Sequence, residues 1–88
     1  MLKITRNDLD SIQTTLHLEG RVTQTDLPEL ERSRTEFQQA GRRLVLDLSG
    51  VSFVGREGVA ALQRMRLDGI IITGCSPFVA ELLQESAR

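Results

Sequence analysis

The sequence predicts an α/β domain of two layers, in which a mixed β-sheet carries helices mainly on one of its faces. Three observations support this prediction. Apolar residues recur at every second position early in the chain and at helical spacing later, and the two periods then alternate. Capping and turn residues separate these segments. The resulting order, β-β-α-β-α-β-α, predicts an antiparallel edge hairpin followed by parallel strands that right-handed crossovers connect.

The edge hairpin is predicted from two alternating runs. The stretch LKIT at positions 2–5 alternates apolar and polar residues, and the polar break RNDLD separates it from IQTTLHLEGRV at positions 12–22. In the second run the even positions are mostly apolar, and the odd positions from 13 to 21 are all polar. One face of this strand should therefore be solvated, and His17, which lies in the polar row, should be a surface histidine.

The next segment, TDLPELERSRTEFQQAG at positions 25–41, changes to the helical period. Four apolar residues fall on one helical face: Leu27, Leu30, Phe37 and Ala40. Asp26 is predicted to cap the first turn while Glu29 reaches back to it, and Gly41 is predicted to end the helix. The segment therefore predicts an amphipathic helix.

The rest of the chain predicts two further strands and two further helices. RRLVLDLSG contains an apolar run, Leu44–Leu48, with a single charged interruption, which is typical of a central strand. A helix is predicted over residues 55–66, and LDGIIITG supplies an apolar strand after it. Ser76 is predicted to cap the last helix. The apolar face of that helix comprises Phe78, Val79, Leu82 and Leu83.

Length and charge exclude several classes of protein. The 88 residues are predicted to form one domain, 1–88, because this length suffices for one core but not for two. The formal net charge is −1 and the arginines are dispersed among acidic residues, so we expect no nucleic-acid partner. No apolar run approaches the roughly 18 residues that span a bilayer, which predicts no membrane insertion and a soluble, cytoplasmic protein.

Residues with catalytic or ligand-binding chemistry are sparse. The single cysteine, Cys75, lies near a predicted helix start, but no second cysteine accompanies it, which favours a packed thiol. The sequence contains no nucleophile and base at a readable spacing, no phosphate-binding glycine loop and no set of metal ligands. We therefore expect a protein that is not an enzyme and that has no catalytic residues, no metal and no cofactor.

One stretch, LVLDLSGVSFVGREGVAAL at positions 44–62, resembles the signature of STAS domains, the sulfate transporter and anti-sigma factor antagonist family. In that family a strand ending in Asp-Leu-Ser-Gly-Val leads through a Phe to Asp-Ser-Ser-Gly and a helix. LEGRVT and TGCSPFVAELL resemble the family's second strand and its final strand and helix, so the resemblance covers nearly the whole chain. It implies a protein-binding module whose binding is turned off when the second Ser of Asp-Ser-Ser-Gly is phosphorylated.

The positions of this regulatory motif depart from the family pattern. The family's Asp falls on Gly55 and its first Ser on Arg56. The phosphorylated Ser falls on Glu57, whereas the motif's glycine is retained as Gly58. Thr23 stands where many relatives carry an Asp. The resemblance therefore implies that these five residues form a partner-binding surface, with a degenerate phosphosite at its centre.

Two interpretations of Glu57 remain open from the sequence. A carboxylate at a helix start places a permanent anion where a phosphate would lie, which predicts a module locked in one state. Alternatively, Glu in a first helical turn is favourable by about 0.3–1 kcal/mol without any partner. Arg56 has the same two interpretations, as a partner contact or as a solvated surface residue. Ser49 and Ser52 are either substitute phosphosites or turn residues.

The resemblance implies a regulatory binding module of the anti-sigma-antagonist type that is not switched at the usual Ser. Its partner would be an anti-sigma factor or a serine-kinase-like regulator. The alternative is a small subunit of an ABC-type transport or envelope-maintenance complex, whose partner would be a transporter ATPase. The sequence leaves the identity of the partner and the oligomeric state open.

Overall fold

In the computed structural model, which describes residues 2–8 and 12–85, the chain forms the predicted order of strands and helices. The strands are β1 (Lys3–Asp8), β2 (Gln13–Val22), β3 (Arg43–Val54) and β4 (Ile71–Thr73). The helices are α1 (Leu27–Gln39), α2 (Arg56–Leu67) and α3 (Pro77–Glu85), and a 3-10 turn, Gln24–Asp26, leads into α1. Part of the predicted hairpin turn, residues 9–11, lies outside the described residues.

The sheet is mixed, with the strand order β1-β2-β3-β4. β1 runs antiparallel to β2, with Lys3 opposite Glu19 and Asp8 opposite Thr14. β3 is parallel to β2, and β4 is parallel to β3. The predicted edge hairpin and parallel strands are therefore confirmed. β1 is longer than expected, because the polar residues of RND continue to pair with β2 as far as Asp8.

One face of the sheet carries the hydrophobic core. Side chains of β2, β3 and the three described helices form a buried cluster that includes Leu16, Leu18, Val22, Leu30, Phe37, Leu46, Leu48, Val59, Leu62, Met65, Val79 and Leu83. Burial of each large aliphatic side chain contributes about 1.5–3 kcal/mol. The odd positions of β2 lie on the other face and are partly or fully exposed. The predicted one-sided, two-layer arrangement is thus confirmed.

The start of α1 differs from the expected cap. The helix is preceded by a 3-10 turn whose cap is Thr23, and Asp26 folds back toward Thr23. The Thr23 backbone N–H and its hydroxyl both donate to Asp26 Oδ2 at 2.9 Å. The Asp26 N–H donates to the Thr23 carbonyl at 3.0 Å. Asp26 thus lies at the N-cap position of α1 as expected, but its side chain bonds back to Thr23 and not to α1, and Glu29 has no reciprocal bond among the described residues.

Both α1 and α2 end in glycines with a left-handed backbone, at Gly41 (φ +72°) and Gly69 (φ +98°). The Gly41 N–H donates to the Gln38 carbonyl at 3.1 Å, and the N–H of the next residue donates to the Phe37 carbonyl at 3.0 Å. The same pair of bonds closes α2, from Gly69 to Arg66 at 3.1 Å and from Ile70 to Met65 at 3.0 Å. These Schellman turns satisfy the last carbonyls of both helices, and the one at Gly41 confirms the predicted end of α1.

β3 extends well beyond the predicted Leu44–Leu48 and reaches Val54. Its second half pairs with β2 alone among the described strands, and the ladder shifts register on both sides of Glu19–Gly20. Val51 and Val54 are buried, which ties this half to the core. A Cβ on Gly50 would lie 2.7 Å from Glu19 Cγ, so this glycine allows close approach of β2 instead of forming the expected turn.

Candidate protein-binding site

The candidate site lies where β2 and β3 end and α2 begins. The Gly55 N–H donates to the Val22 carbonyl at 2.8 Å, which holds the end of β3 against the end of β2. Thr23 follows Val22 directly, so the fold brings it beside Gly55 although 32 positions separate them. Gly55 is the N-cap of α2 and has an extended backbone (φ −71°, ψ 169°). The fold therefore juxtaposes two of the predicted site residues.

Arg56 and Glu57 form the first turn of α2, and both are exposed. Neither side chain makes a hydrogen bond or an ion pair with another residue in the described parts of the chain. Gly55 offers no side-chain cap, so the first amides of α2 lack the protein acceptor that a Ser or Asp would provide. Glu57 lies at the positive end of the helix dipole, which favours its negative charge.

Gly58, also a predicted site residue, is buried beneath this surface. A Cβ at this position would lie 2.9 Å from Val54 Cγ1 and 3.0 Å from Val22 Cγ1. A Cβ here would require the two buried valines to change position or α2 to move off the sheet, because these distances are shorter than ordinary van der Waals contacts. Gly58 therefore seats the start of α2 on the sheet, and the residues available at the surface are its neighbours.

Thr23 is half-buried, and its hydroxyl is already used within the chain. It donates to Asp26 Oδ2 at 2.9 Å and lies 3.0 Å from the hydroxyl of Thr25. Thr23 thus contributes to the site chiefly by fixing the backbone between β2 and α1. We name the surface formed by Thr23, Gly55, Arg56 and Glu57 the helix-start surface.

Ser49 and Ser52, the predicted substitute phosphosites, are exposed and lie within β3 rather than in a turn. The Ser52 hydroxyl donates to the Gly20 carbonyl at 3.3 Å. The Ser49 backbone N–H donates to Asp47 Oδ1 at 2.9 Å. Both hydroxyls are therefore accessible, but they project from a strand and not from the start of α2.

The outer face of the sheet holds a polar cluster that sequence reasoning missed. His17 Nδ1 lies 3.0 Å from Asp47 Oδ2, and His17 Nε2 lies 3.2 Å from Glu19 Oε1. The Ser49 N–H and then His17 lower the pKa of Asp47 from its ordinary value. His17 belongs to the polar row as expected, but its side chain is only 33% exposed because of these contacts. The register that sets His17 opposite Asp47 is not visible in the sequence.

An exposed aromatic pair lies close to the helix-start surface in sequence. The rings of Phe53 and Phe78 stack with centroids 6.5 Å apart and an interplanar angle of 28°. Phe53 is 43% exposed and Phe78 is 53% exposed. Phe78, which the sequence places on the apolar face of α3, is therefore largely exposed, and only Val79 and Leu83 of that face are fully buried. Phe53 precedes Gly55 by two residues.

Neither a reactive thiol nor a metal centre is found among the described residues. Cys75 packs against the core, and burial raises the pKa of its thiol. Among residues 2–8 and 12–85, no group of three or more His, Cys, Asp or Glu side chains is arranged to hold a metal ion. No helix of the described residues is both long enough and apolar enough to cross a bilayer.

Comparison with known proteins identifies the family. A family model described as "Mlab, STAS domain" matches residues 5–87. The chain belongs to the STAS domain family. No curated protein matches it.

Solved structures share the fold at low sequence identity. The anti-sigma factor antagonist SpoIIAA in its unphosphorylated form is 18% identical, with a TM-score of 0.75 over 97% of this chain and 81% of that one. An anti-sigma factor antagonist STAS domain from Rhodobacter sphaeroides is 21% identical, with a TM-score of 0.61 over 83% and 86% of the two chains. A Shewanella loihica protein with a SpoIIAA-like fold is 13% identical, with a TM-score of 0.62 over 98% and 72%. At these identities the comparison establishes the STAS fold.

Proposed function

We propose that this STAS domain is a non-enzymatic regulatory module that binds another protein through the helix-start surface. The observation that carries the proposal is the pair Arg56 and Glu57, two exposed charges of opposite sign that have no partner among the described residues. Two solved STAS proteins of the same fold are anti-sigma factor antagonists by name, which supports a role of this kind. The partner is then an anti-sigma factor or a serine-kinase-like regulator.

Binding at this surface is proposed to be constitutive. Glu57 occupies the position of the family's phosphorylated Ser and has no hydroxyl that a kinase could modify. Its carboxylate carries one negative charge, whereas a phosphoserine carries nearly two and offers three acceptor oxygens. The surface therefore retains one electrostatic state, and its affinity does not respond to a serine kinase at that position.

The charges of the helix-start surface suit recognition more than tight anchoring. Exposed charges at the rim of an interface mainly set specificity and association rate, since they lose little hydration when the partner docks. An opposite-sign pair on one helical turn also imposes a direction on the partner, which must present an acid to Arg56 and a base to Glu57. Reversal of either charge should then slow association.

The test begins with capture of the partner from the native organism on the immobilised protein, followed by its purification. Calorimetric titration then compares the parent with Arg56→Glu and Glu57→Lys. We expect each reversal to weaken binding by about three- to ten-fold, with the loss diminished at high salt. Arg32→Glu is the matched control, because Arg32 is an exposed arginine of α1 without a partner in the described chain.

Each outcome of this test bears on the proposal. If both folded variants bind as tightly as the parent, the helix-start surface is not the docking site. Loss of binding in the Arg32→Glu control as well would indicate a long-range charge effect and contradict a local surface. If the captured protein is a transporter ATPase, the alternative role in a transport or envelope-maintenance complex is supported. Stoichiometric phosphate on Ser49 or Ser52 in mass spectra would contradict constitutive binding.

A further inference from the structure

A small cavity of about 120 Å³ lies at the opposite end of the sheet from the helix-start surface. It is bounded by the last turns of α1, the start of β3 and the turn that follows α2. The residues that line it are Arg34, Gln38, Arg42, Arg43, Leu44, Asp68, Gly69 and Ile70. Because β3 runs from this cavity to Val54, the two regions are separated by the length of the longest described strand.

Arginines predominate among the charged residues of the cavity wall, although two of the three have acidic partners. Three of its lining residues are arginines, and Asp68 is the single acid among them. That carboxylate is already bonded to Arg34, at 2.7 Å from Nη2, and Glu31 lies behind the wall at 2.9 Å from Arg34 Nη1. The third guanidinium nitrogen of Arg34, Nε, is buried and has no acceptor among the described residues. A buried donor without an acceptor is unfavourable, and native proteins commonly satisfy such a group with water or an ion.

The other two arginines differ in how firmly they are held. Arg42 is 17% exposed, donates to Thr14 Oγ1 at 2.7 Å and to the Gln13 carbonyl at 3.1 Å, and its Nη2 lies 3.6 Å from Asp8 Oδ1. Arg43 is exposed, and its side chain has no hydrogen bond or ion pair with any other residue that the structure describes. Arg42 thus forms a fixed wall, whereas Arg43 at the mouth carries a charge that nothing in the described chain neutralises.

The C-terminal carbonyl groups of α1 and α2, beside the cavity, are already hydrogen-bonded and do not offset the positive charge of Arg43. Helix C-termini normally disfavour anions, because their last carbonyl groups point outward. Here the Schellman turns at Gly41 and Gly69 direct four backbone N–H groups onto those carbonyls. The donors that remain for a ligand are the Arg43 guanidinium and the amide of Gln38, which has no side-chain partner among the described residues.

We propose that this cavity binds a small oxyanion of the phosphate or sulfate type. The cavity volume of about 120 Å³ leaves room for one tetrahedral oxyanion. Guanidinium groups suit such a ligand because they donate two parallel hydrogen bonds to oxyanions. The oxyanion bonds the exposed side chains of Arg43 and Gln38, and the uncompensated charge of Arg43 supplies the attraction. The site is independent of the helix-start surface and of any protein partner.

The test uses the purified full chain and inorganic phosphate as the probe. Two-dimensional ¹H–¹⁵N spectra are recorded during titration with phosphate, sulfate, methyl phosphate or chloride at matched ionic strength. We expect saturable shifts centred on Arg43, Gly69 and Ile70, a matching rise in melting temperature and weak or no response to chloride. Binding of inorganic phosphate but not of methyl phosphate identifies a free anion as the ligand, whereas equal binding identifies a phosphate monoester as an accepted source.

Two variants separate a site from a general effect of charge. Arg43→Gln, which removes an exposed side chain without partners in the described chain, should fold normally and weaken phosphate binding at least about five-fold. Arg32→Gln removes an equally exposed arginine that does not line the cavity and should leave the affinity unchanged. Absence of saturation by phosphate, an equal response to chloride, or an equal loss in both variants would overturn the proposal.

Discussion

The segments that begin α1 and α2 follow the adjacent ends of β2 and β3, yet their polar groups are used differently. Before α1, Thr23 and Asp26 are bonded to each other through three hydrogen bonds of 2.9–3.0 Å. At α2, Gly55 provides no cap, and Arg56 and Glu57 have no partner within the described residues. The comparison indicates that the first start serves stability, whereas the second leaves its charges available to another molecule at little cost to the fold.

The largest expected effect on the free energy of unfolding comes from the packing beneath the start of α2. Gly58→Val introduces a Cβ within 3.0 Å of both Val54 Cγ1 and Val22 Cγ1, so the unfolding free energy should fall by about 2–3 kcal/mol. Ala60→Val, at an exposed position of the same helix, is the control and should cost no more than about 0.7 kcal/mol through helix propensity. Urea denaturation followed by circular dichroism measures both. Equal effects would mean that α2 is not seated on Gly58.

The hydrogen-bonded segment before α1, Thr23–Asp26, should give the next largest effect on stability. Asp26→Ala removes the acceptor for both Thr23 donors, and we expect a loss of about 1–2 kcal/mol in the unfolding free energy, as for other capping residues. Glu29→Ala is the matched control, because Glu29 lies in the first turn of α1 without a side-chain bond in the described chain. Its loss should be about 0.3–0.5 kcal/mol. If Glu29→Ala costs more than Asp26→Ala, then Glu29, not Asp26, completes the cap.

The polar cluster on the outer face of the sheet, His17, Glu19 and Asp47, should make the stability of the fold depend on pH. The bonds to the Ser49 N–H and to His17 lower the pKa of Asp47 in the folded state below its unfolded value. Such a carboxylate stabilises the fold above the ordinary range of aspartate, and this contribution is lost as the pH falls through the folded pKa. Asp47→Asn should therefore cost about 1 kcal/mol at neutral pH, and the cost should shrink on acidification.

Thermal melts of parent and Asp47→Asn between neutral and acid pH measure this difference. Glu81→Gln serves as the control, since Glu81 is an exposed carboxylate of α3 without a partner among the described residues. The difference in melting temperature between this control and the parent should not change with pH. If the melting temperatures of the parent and of Asp47→Asn differed by the same amount at every pH, the Asp47 carboxylate would contribute through its shape and not through its charge.

Much of the fold was predictable because it depends on local sequence. Alternation at positions 12–22 identified the exposed and buried faces of β2, and Gly41 marked the end of α1 through a backbone conformation that glycine adopts readily. The helix-start surface was located by the motif around Glu57. Thr23 lies beside Gly55 because the parallel strands β2 and β3 end together.

The remaining features depend on contacts between distant segments. Gly50 resembles a turn residue in sequence, and only the approach of Glu19 explains why the strand continues through it. The pairing of His17 with Asp47 follows from a register between strands that lie 30 positions apart. Phe78 lies on the apolar side of α3, but its ring stays exposed and stacks on Phe53. Periodicity alone determines neither the register between strands nor which residues of an apolar helix face are covered.

The smallest expected effect is at Glu57 and tests the comparison most directly. Glu57→Gln keeps the shape of the side chain and removes its charge, so only its attraction to the start of α2 is lost. Because Glu57 is exposed and has no partner in the described chain, this loss should be about 0.3–0.5 kcal/mol, and it should disappear at high salt. Asp26→Asn, the same change in the segment before α1, should cost more and retain most of its cost in salt, because a neutral amide replaces an acceptor of two hydrogen bonds.

Urea denaturation of the two variants at low and high salt provides the measurement. A cost at Glu57 that equals the cost at Asp26 would mean that the carboxylate is held by the chain, so that both helix starts are closed and Glu57 is a structural residue. A small, salt-sensitive cost at Glu57 together with weaker partner binding would separate the two roles. The charge would then contribute little to folding while remaining available for recognition, which is the property that distinguishes the start of α2 from the start of α1.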